Sequence, residues 1–157
     1  MAVRPADCVL HGVPYERASL YGMPHIGALY RGKAARLEDG APCTYCGAPA
    51  SNAHHMAPKG MAGGGGVFAL RTRWGTFALR SPLMAVCGSG CTGCHGKFPP
   101  QGFELDVRWV WDDEESERLW WSGWTLAHGM APHSPDLYLL GRYEILRLGE
   151  VVSEVRG

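Results

Sequence analysis

Two cysteine pairs at the spacing of a metal knuckle, Cys43-Thr-Tyr-Cys46 and Cys91-Thr-Gly-Cys94, flank a His54-His55 doublet, and the second pair runs straight into His95. A Cys-x-x-Cys turn brings two thiolates to one ion, and four thiolates hold zinc in a closed tetrahedron. Imidazoles with no thiolate of their own suit an open site, which keeps room for water and a phosphate. The pattern predicts two metal sites close in space, one structural and one catalytic.

The structural set has one ambiguity. Cys87 precedes Cys91 by four residues, so the third thiolate is Cys87 or Cys91, with Cys43, Cys46 and Cys94 common to both choices. The interval from Gly47 to Gly90 is much longer than the roughly 15 to 20 residues of a simple zinc ribbon. A substantial insert therefore separates the knuckles, and it carries the histidines. A thioredoxin-like redox role lacks the β-α-β pattern it requires, and Cys8 reads as a small buried side chain or a bystander.

Neighbouring side chains on a strand point to opposite faces, so His54 and His55 are suited to different tasks. One imidazole can bind a divalent ion while the other acts across a phosphate as a general base. His95, carried by the knuckle, can return to the same ion.

The elements that must position these groups are mostly short. Residues 1–40 form an N-terminal extension in which Gly12, Gly22, Gly27 and Gly32 interrupt any helix pattern except over Lys33 to Leu37. Residues 41–100 form the core of the site. Within it, Gly63 to Gly66 is a loop, Val67 to Arg73 and Thr76 to Arg80 form a hairpin, and Leu83 to Cys87 is an apolar strand. Residues 101–157 form a β-rich C-terminal part. Phe103, Leu105, Val107, Trp109 and Trp111 alternate with Glu104, Asp106 and Arg108, the signature of a half-buried strand. Asp112 to Leu119 reads as a short acidic helix or turn, Trp120 to Leu126 as strand, and Leu137 to Leu148 as a last strand or pair broken at Gly141.

Charge is balanced over the 157 residues, with 15 basic and 15 acidic side chains, but it is not evenly spread. From Gly40 to Phe103 there is no Asp or Glu, while Lys59, Arg71, Arg73, Arg80 and Lys97 are basic. A carboxylate-free cationic segment around a histidine pair suits phosphate contacts, which supply the sequence-independent part of nucleic-acid affinity. The start Met-Ala-Val-Arg-Pro lacks the apolar run of a signal peptide, and no segment reaches transmembrane length. A reducing cytoplasm with thiols free for metal is the expectation, with no membrane association.

In three blocks the sequence resembles the HNH endonucleases, specifically the zinc-bearing kind common in phages and prophages. The matching residues are Cys43-x-x-Cys46-Gly47, then Ala53-His54-His55-Met56-x-Pro58-Lys59-Gly60-Met61-x-Gly63-Gly64, then Leu83 to Gly90 followed by Thr92-Gly93-Cys94-His95-Gly96. The resemblance spans about residues 43–96, and it implies an α+β fold with a ββα-metal core stapled by a zinc site of four cysteines. It also implies His55 as the general base, His54 and His95 as ligands of a Mg or Mn ion, and Cys87 rather than Cys91 beside Cys43, Cys46 and Cys94. Where that family carries a central asparagine this chain has Pro82, and Pro99-Pro100 leaves little more than a helical turn after His95. The insert from Gly63 to Arg80 is a hairpin suited to contacting DNA.

The tryptophans Trp109, Trp111, Trp120, Trp121 and Trp124 lie in the acidic third of the chain, which favours a core over a stacking platform for nucleic acid. His128 and His133 read as surface residues, and Asp112 to Glu117 as a solvated face. The combined expectation is a metal-dependent DNA endonuclease working beside phage packaging or recombination proteins. The alternatives are a catalytically inactive, zinc-stabilised DNA-binding or assembly protein, and a nuclease acting on RNA.

Overall fold

The structure is a computed structural model that describes residues 9–10, 13–14, 24–31, 34–56, 67–72, 75–80, 82–121 and 135–156. These residues form a strand-rich mixed fold: β1 (Val9–Leu10), β2 (Val13–Pro14), β3 (Ala28–Arg31), β4 (Ala34–Leu37), β5 (Asn52–His55), β6 (Val67–Thr72), β7 (Gly75–Arg80), β8 (Leu83–Val86), β9 (Leu105–Trp111), β10 (Gly141–Arg147) and β11 (Glu150–Val155). Helix α1 spans Glu114–Trp121 and α2 Pro135–Tyr138, and a 3-10 turn covers Cys94–Lys97. Among the described residues no helix is long and apolar enough to cross a membrane.

Residues 41–100 contain two antiparallel pairs. β5 pairs with β8, setting His54 opposite Met84 and His55 opposite Leu83. β6 and β7 form the expected hairpin, with Arg71 opposite Thr76 and Arg80 opposite Val67. β8 is buried along its whole length, as a continuous apolar run requires.

The N-terminal extension departs from its reading. Of Lys33 to Leu37, the one stretch there with a possible helix pattern, the described Ala34–Leu37 is instead strand β4, paired with β3 with Ala28 opposite Leu37. The cause is tertiary. Ile26 joins β8 as a parallel bridge to Met84, donating its N–H to the carbonyl of Leu83 at 2.8 Å and accepting from Ala85 at 2.7 Å. The Leu83 N–H also donates to His25 Nδ1 at 2.9 Å. Tyr138 donates its hydroxyl to the carbonyl of His25 at 3.0 Å, and Tyr143 donates to that of Pro24. Residues 24–28 are thus held between β8 and the C-terminal part, an arrangement that local propensity does not encode.

In the C-terminal part the order is β11-β10-β9, with Tyr143 opposite Trp109 and Ile145 opposite Val107. Leu148 and Gly149 connect β10 to β11 with φ of 50° and 85°, the left-handed pair of a two-residue hairpin turn. The strand expected from Phe103 begins at Leu105. Phe103 is 80% exposed because the chain is still turning there, Gly102 donating its N–H to the carbonyl of Phe98 at 3.1 Å.

The acidic stretch is a helix and runs further than expected, taking in Trp120 and Trp121, which read as strand. Asp113 caps it, its Oδ1 accepting the N–H of Ser116 at 2.7 Å. Ser116 and Trp120 are buried while Arg118 between them is exposed, the i, i+4 stripe of a helix, whereas a strand would put all three on one face. Likewise Leu137 and Tyr138 are buried in α2 rather than in a strand, and β10 starts at Gly141. No other residue fits there, since a Cβ would lie 2.6 Å from the Trp109 ring. Trp109 meets Trp111 and Tyr143 edge to face at 5.5 and 5.0 Å between centroids, in keeping with a core role. The side chain of Trp121 and all of Trp124, His128 and His133 lie outside the described residues.

One apolar cluster joins the two parts: Cys43, Met84, Val86, Cys94 and Phe98 pack with Leu105 and Ile145. Ile145→Ala is expected to lower stability by about 2–5 kcal/mol, because a fully buried side chain is removed from the junction. Denaturant unfolding monitored by tryptophan fluorescence measures it.

Candidate metal centre and histidine pair

The first knuckle is a tight turn. Cys43 donates its N–H to the carbonyl of Ala48 at 2.6 Å and accepts from Gly47 at 3.0 Å. Thr44 ties the turn to β8 by donating both its N–H and its hydroxyl to the carbonyl of Ala85, at 2.9 and 2.8 Å. The second knuckle is the loop from Cys87 to Cys94. In it Ser89 and Thr92 bond each other, and Cys94 points its N–H at Cys87 Sγ at 3.5 Å. Gly88 sits at φ +82°, and a Cβ there would lie 2.2 Å from the carbonyl oxygen of Thr92. Glycine is required for the loop to close on itself.

These turns bring Cys43, Cys46, Cys87 and Cys94 together, all four sulfurs within 4.8 Å of one another. Cys46 and Cys87 are 3.6 Å apart, far too long for a disulfide and near the ~3.8 Å that a Zn–S distance of about 2.3 Å implies for a tetrahedron. Cys91 is exposed and outside the group, so of the two choices for the third thiolate the geometry assembles Cys87.

The thiols differ in acidity. Burial pushes Cys43 up, but backbone hydrogen bonds at Cys46, Cys87 and Tyr45 outweigh it and hold its pKa at about 7. Burial and then the neighbouring thiols Cys87, Cys43 and Cys46 push Cys94 well up. Cys46 gains acidity from a backbone hydrogen bond at Ala48, yet the thiols of Cys87 and Cys43 leave it raised on balance. Four sulfurs this close cannot all ionise without a cation between them. The residues fit zinc, which would be bound with release of protons and would fasten both knuckles to β8.

His54 and His95 lie beside this cluster. Their ring centroids are 4.9 Å apart and the rings nearly perpendicular, with Phe98 against His54 at 5.8 Å. His95 donates Nδ1–H to the carbonyl of Gly90 at 2.7 Å, inside the Cys87 to Cys94 loop, and its own N–H goes to the carbonyl of Cys87 at 3.0 Å. A carbonyl can only accept, so Nδ1 carries a proton and in the neutral ring Nε2 keeps its lone pair. His54 is hydrogen-bonded to the backbone of Pro99, which has no N–H to offer, so here too the ring is the donor and one nitrogen is left with a lone pair.

Burial, then the positive potential of His95 and of His55, lowers the His54 pKa to about 4. Because the folded value lies below the ordinary 6.5, unfolding takes up a proton, and the stability contributed by neutral His54 is lost as pH falls from 6.5 toward 4. Nitrogen-15 spectra of the ring are expected to stay neutral until about pH 5, where an unperturbed histidine is already charged.

His55 is half-buried at the end of β5, and Met56 beyond it donates its N–H to the carbonyl of Pro82 at 2.9 Å. Lys97 is exposed in the turn that carries His95. Arg71 and Arg80 stand on β6 and β7, and Lys59 and Arg73 lie outside the described residues.

Sequence reasoning missed two kinds of contributor. His25 is a buried ring bonded to β8, and no spacing pattern links it to the motifs. The carbonyls of Gly90 and Pro99, which set the protons of the two rings, leave no trace in side-chain identity. Comparisons with family models, with curated proteins and with solved structures find no match to this chain.

Proposed function

We propose that the protein is a metal-dependent endonuclease of the HNH type, hydrolysing phosphodiester bonds in DNA. The observation that carries the reading is the histidine pair. Two buried imidazoles 4.9 Å apart are each tied by an N–H to a backbone carbonyl and each retain one lone pair. Bonds of this kind, made by the nitrogen that faces away from a metal, orient ligating histidines and raise their basicity. The antiparallel β5–β8 pair followed by the turn at Cys94–Lys97 supports a ββα-like core with its helix reduced to a single 3-10 turn.

In this reading His54 and His95 hold a Mg or Mn ion, and Cys43, Cys46, Cys87 and Cys94 hold structural zinc. When bound, the divalent ion polarises the phosphate and stabilises the leaving sugar oxygen. His55, on the strand face opposite His54, takes a proton from the attacking water as general base. Lys97 and the arginines of the β6–β7 hairpin supply cations for the backbone phosphates, in a segment with no carboxylate to repel them. Pro82 stands where a family asparagine would, and its carbonyl anchors the chain just beyond His55 through Met56.

Incubating the protein with supercoiled plasmid and Mg or Mn tests the proposal. Conversion to nicked or linear DNA that EDTA stops is the expected result. Retarded mobility with no cleavage would replace it with a zinc-stabilised binding protein, the role to which Pro82 and the short turn after His95 point.

A further inference from the structure

The loop that follows His95 presents an aromatic ring to solvent. Phe98 and Leu105 are buried, at 0% and 1% exposure, while Phe103 between them is 80% exposed. Among the described side chains it is the one exposed aromatic, the others being buried or half-buried. Such a ring adds little to the fold, because its apolar area stays in water. A single exposed apolar residue is ordinary; this one is set apart by its place.

That place is fixed relative to the histidine pair. Gly102 donates its N–H to the carbonyl of Phe98 at 3.1 Å, and a Cβ on Gly102 would lie 2.3 Å from the carbonyl oxygen of Gly96 and 3.0 Å from Lys97 Cα. Glycine lets the chain close there, and the closure keeps Phe103 Cα within about 8 Å of Lys97 Cα. The same loop reaches His54, since Phe98 packs on its ring at 5.8 Å and the backbone of Pro99 is hydrogen-bonded to it. One short segment therefore carries His95, Lys97 and Phe103 and packs on His54.

Charge favours an anion that also has a flat apolar face. Lys97 is exposed, and no carboxylate occurs from Gly40 to Phe103. Glu104, the first acid after the ring, is paired with Arg147 at 3.3 Å. A nucleotide offers both features, a phosphate for the ammonium group and a base for the phenyl ring.

Magnitudes decide the form of nucleic acid. Stacking one base on an aromatic side chain is worth roughly fivefold to a hundredfold in affinity, and unstacking a duplex step costs about as much or more. One ring therefore cannot repay the opening of a paired step. On a base that is already unpaired it keeps the whole gain.

We propose that Phe103 stacks on an unpaired base beside the phosphate held at His54 and His95, with Lys97 on an adjoining phosphate, so that the preferred substrate is DNA with a single-stranded stretch rather than continuous duplex. The proposal rests on the histidine pair being the phosphate site, and it adds the form of the substrate.

Fluorescence anisotropy tests it, with a short labelled thymidine strand and a labelled duplex of the same length titrated with zinc-loaded protein in the absence of Mg and Mn. The strand is expected to bind more tightly than the duplex. Phe103→Leu keeps the apolar bulk and loses the flat face, and the side chain is too exposed for folding to depend on it. It should raise the midpoint for the strand roughly tenfold and that for the duplex by less than about twofold, while Phe103→Trp holds the native values. Equal weakening on both ligands, no change on either, loss of strand binding in Phe103→Trp, or a strand that does not bind the native protein would each overturn the proposal. Plasmid cleavage assayed in parallel keeps the two readings apart. Cleavage with unchanged Phe103→Leu midpoints would sink this proposal alone, whereas ring-dependent strand binding with no cleavage would sink the nuclease reading alone.

Discussion

Replacing Cys94 by serine is expected to strip the protein of zinc and to loosen the core around it, while Cys91→Ser leaves both zinc and fold unchanged. The contrast follows from placement. Cys94 is 5% exposed and shares the apolar cluster with Met84, Phe98 and Ile145, whereas Cys91 is exposed and outside the four-thiol group. Structural zinc contributes apparent binding free energies of about 10–16 kcal/mol in small domains, which is comparable to the total stability of many domains. A metal would matter most to the Cys87 to Cys94 loop, which is rich in glycine and whose chain contacts are mainly backbone hydrogen bonds. Zinc stoichiometry read with a chromophoric chelator, together with near-ultraviolet circular dichroism of the tryptophans, measures both effects. One zinc per chain is expected for the native protein and for Cys91→Ser, and substoichiometric metal with a flattened spectrum for Cys94→Ser. Loss of zinc from Cys91→Ser would instead show that the ligand set exchanges Cys87 for Cys91.

Changing His55 to alanine is expected to slow plasmid cleavage by about a hundredfold to ten-thousandfold, the contribution of a well-placed general base, with the fold retained. His55 is only half-buried and its backbone pairing with Leu83 survives the change, so folding has little to lose. His95→Ala is expected to cost as much, through loss of the ring that Gly90 orients, and to raise the concentration of Mg or Mn needed for half-maximal rate. Lys97→Ala should do less to the rate at saturation and more to the salt dependence of binding, because the proposed reading gives Lys97 one phosphate contact. Equal activity of His55→Ala and native protein would remove the hydrolytic assignment altogether. Chelating zinc should abolish cleavage as well, since His95 is bonded to the carbonyls of Cys87 and Gly90 within the loop that carries two of the four clustered thiols.

The chemistry-bearing residues were legible in the sequence because each type has few uses. Two Cys-x-x-Cys pairs announce a soft metal, and the structure gathers three of those thiols with Cys87 within 4.8 Å. The β6–β7 hairpin and the apolar strand β8 were equally plain, since alternation and β-branched or aromatic runs are local signals. Which of Cys87 and Cys91 joins the set was not local. It depends on a loop folded back through Gly88 and Gly93 so tightly that Cβ atoms would collide with Thr92 and Cys87. The doublet left a choice as well: strand geometry says only that His54 and His55 face opposite ways, and the packing of Phe98 and His95 decides that His54 is the buried one.

Where the reading erred, tertiary contacts outweighed weak local preference. Trp120 and Trp121 look strand-like as aromatics, but Asp113 caps a helix whose buried stripe needs Ser116 and Trp120 on one side. Lys33 to Leu37 has helix-forming residues, yet the neighbouring segment 24–28 is held by hydrogen bonds to β8 and to two tyrosines some 113 and 119 residues away. By itself, then, the sequence determined the ligand types, the carboxylate-free cationic segment and the main strands, all of which are set by residue identity and short-range period. Only the tertiary structure decided which thiols converge, which imidazole is buried and which ring nitrogens keep a lone pair, because those depend on backbone carbonyls and long-range packing that side-chain identity does not record.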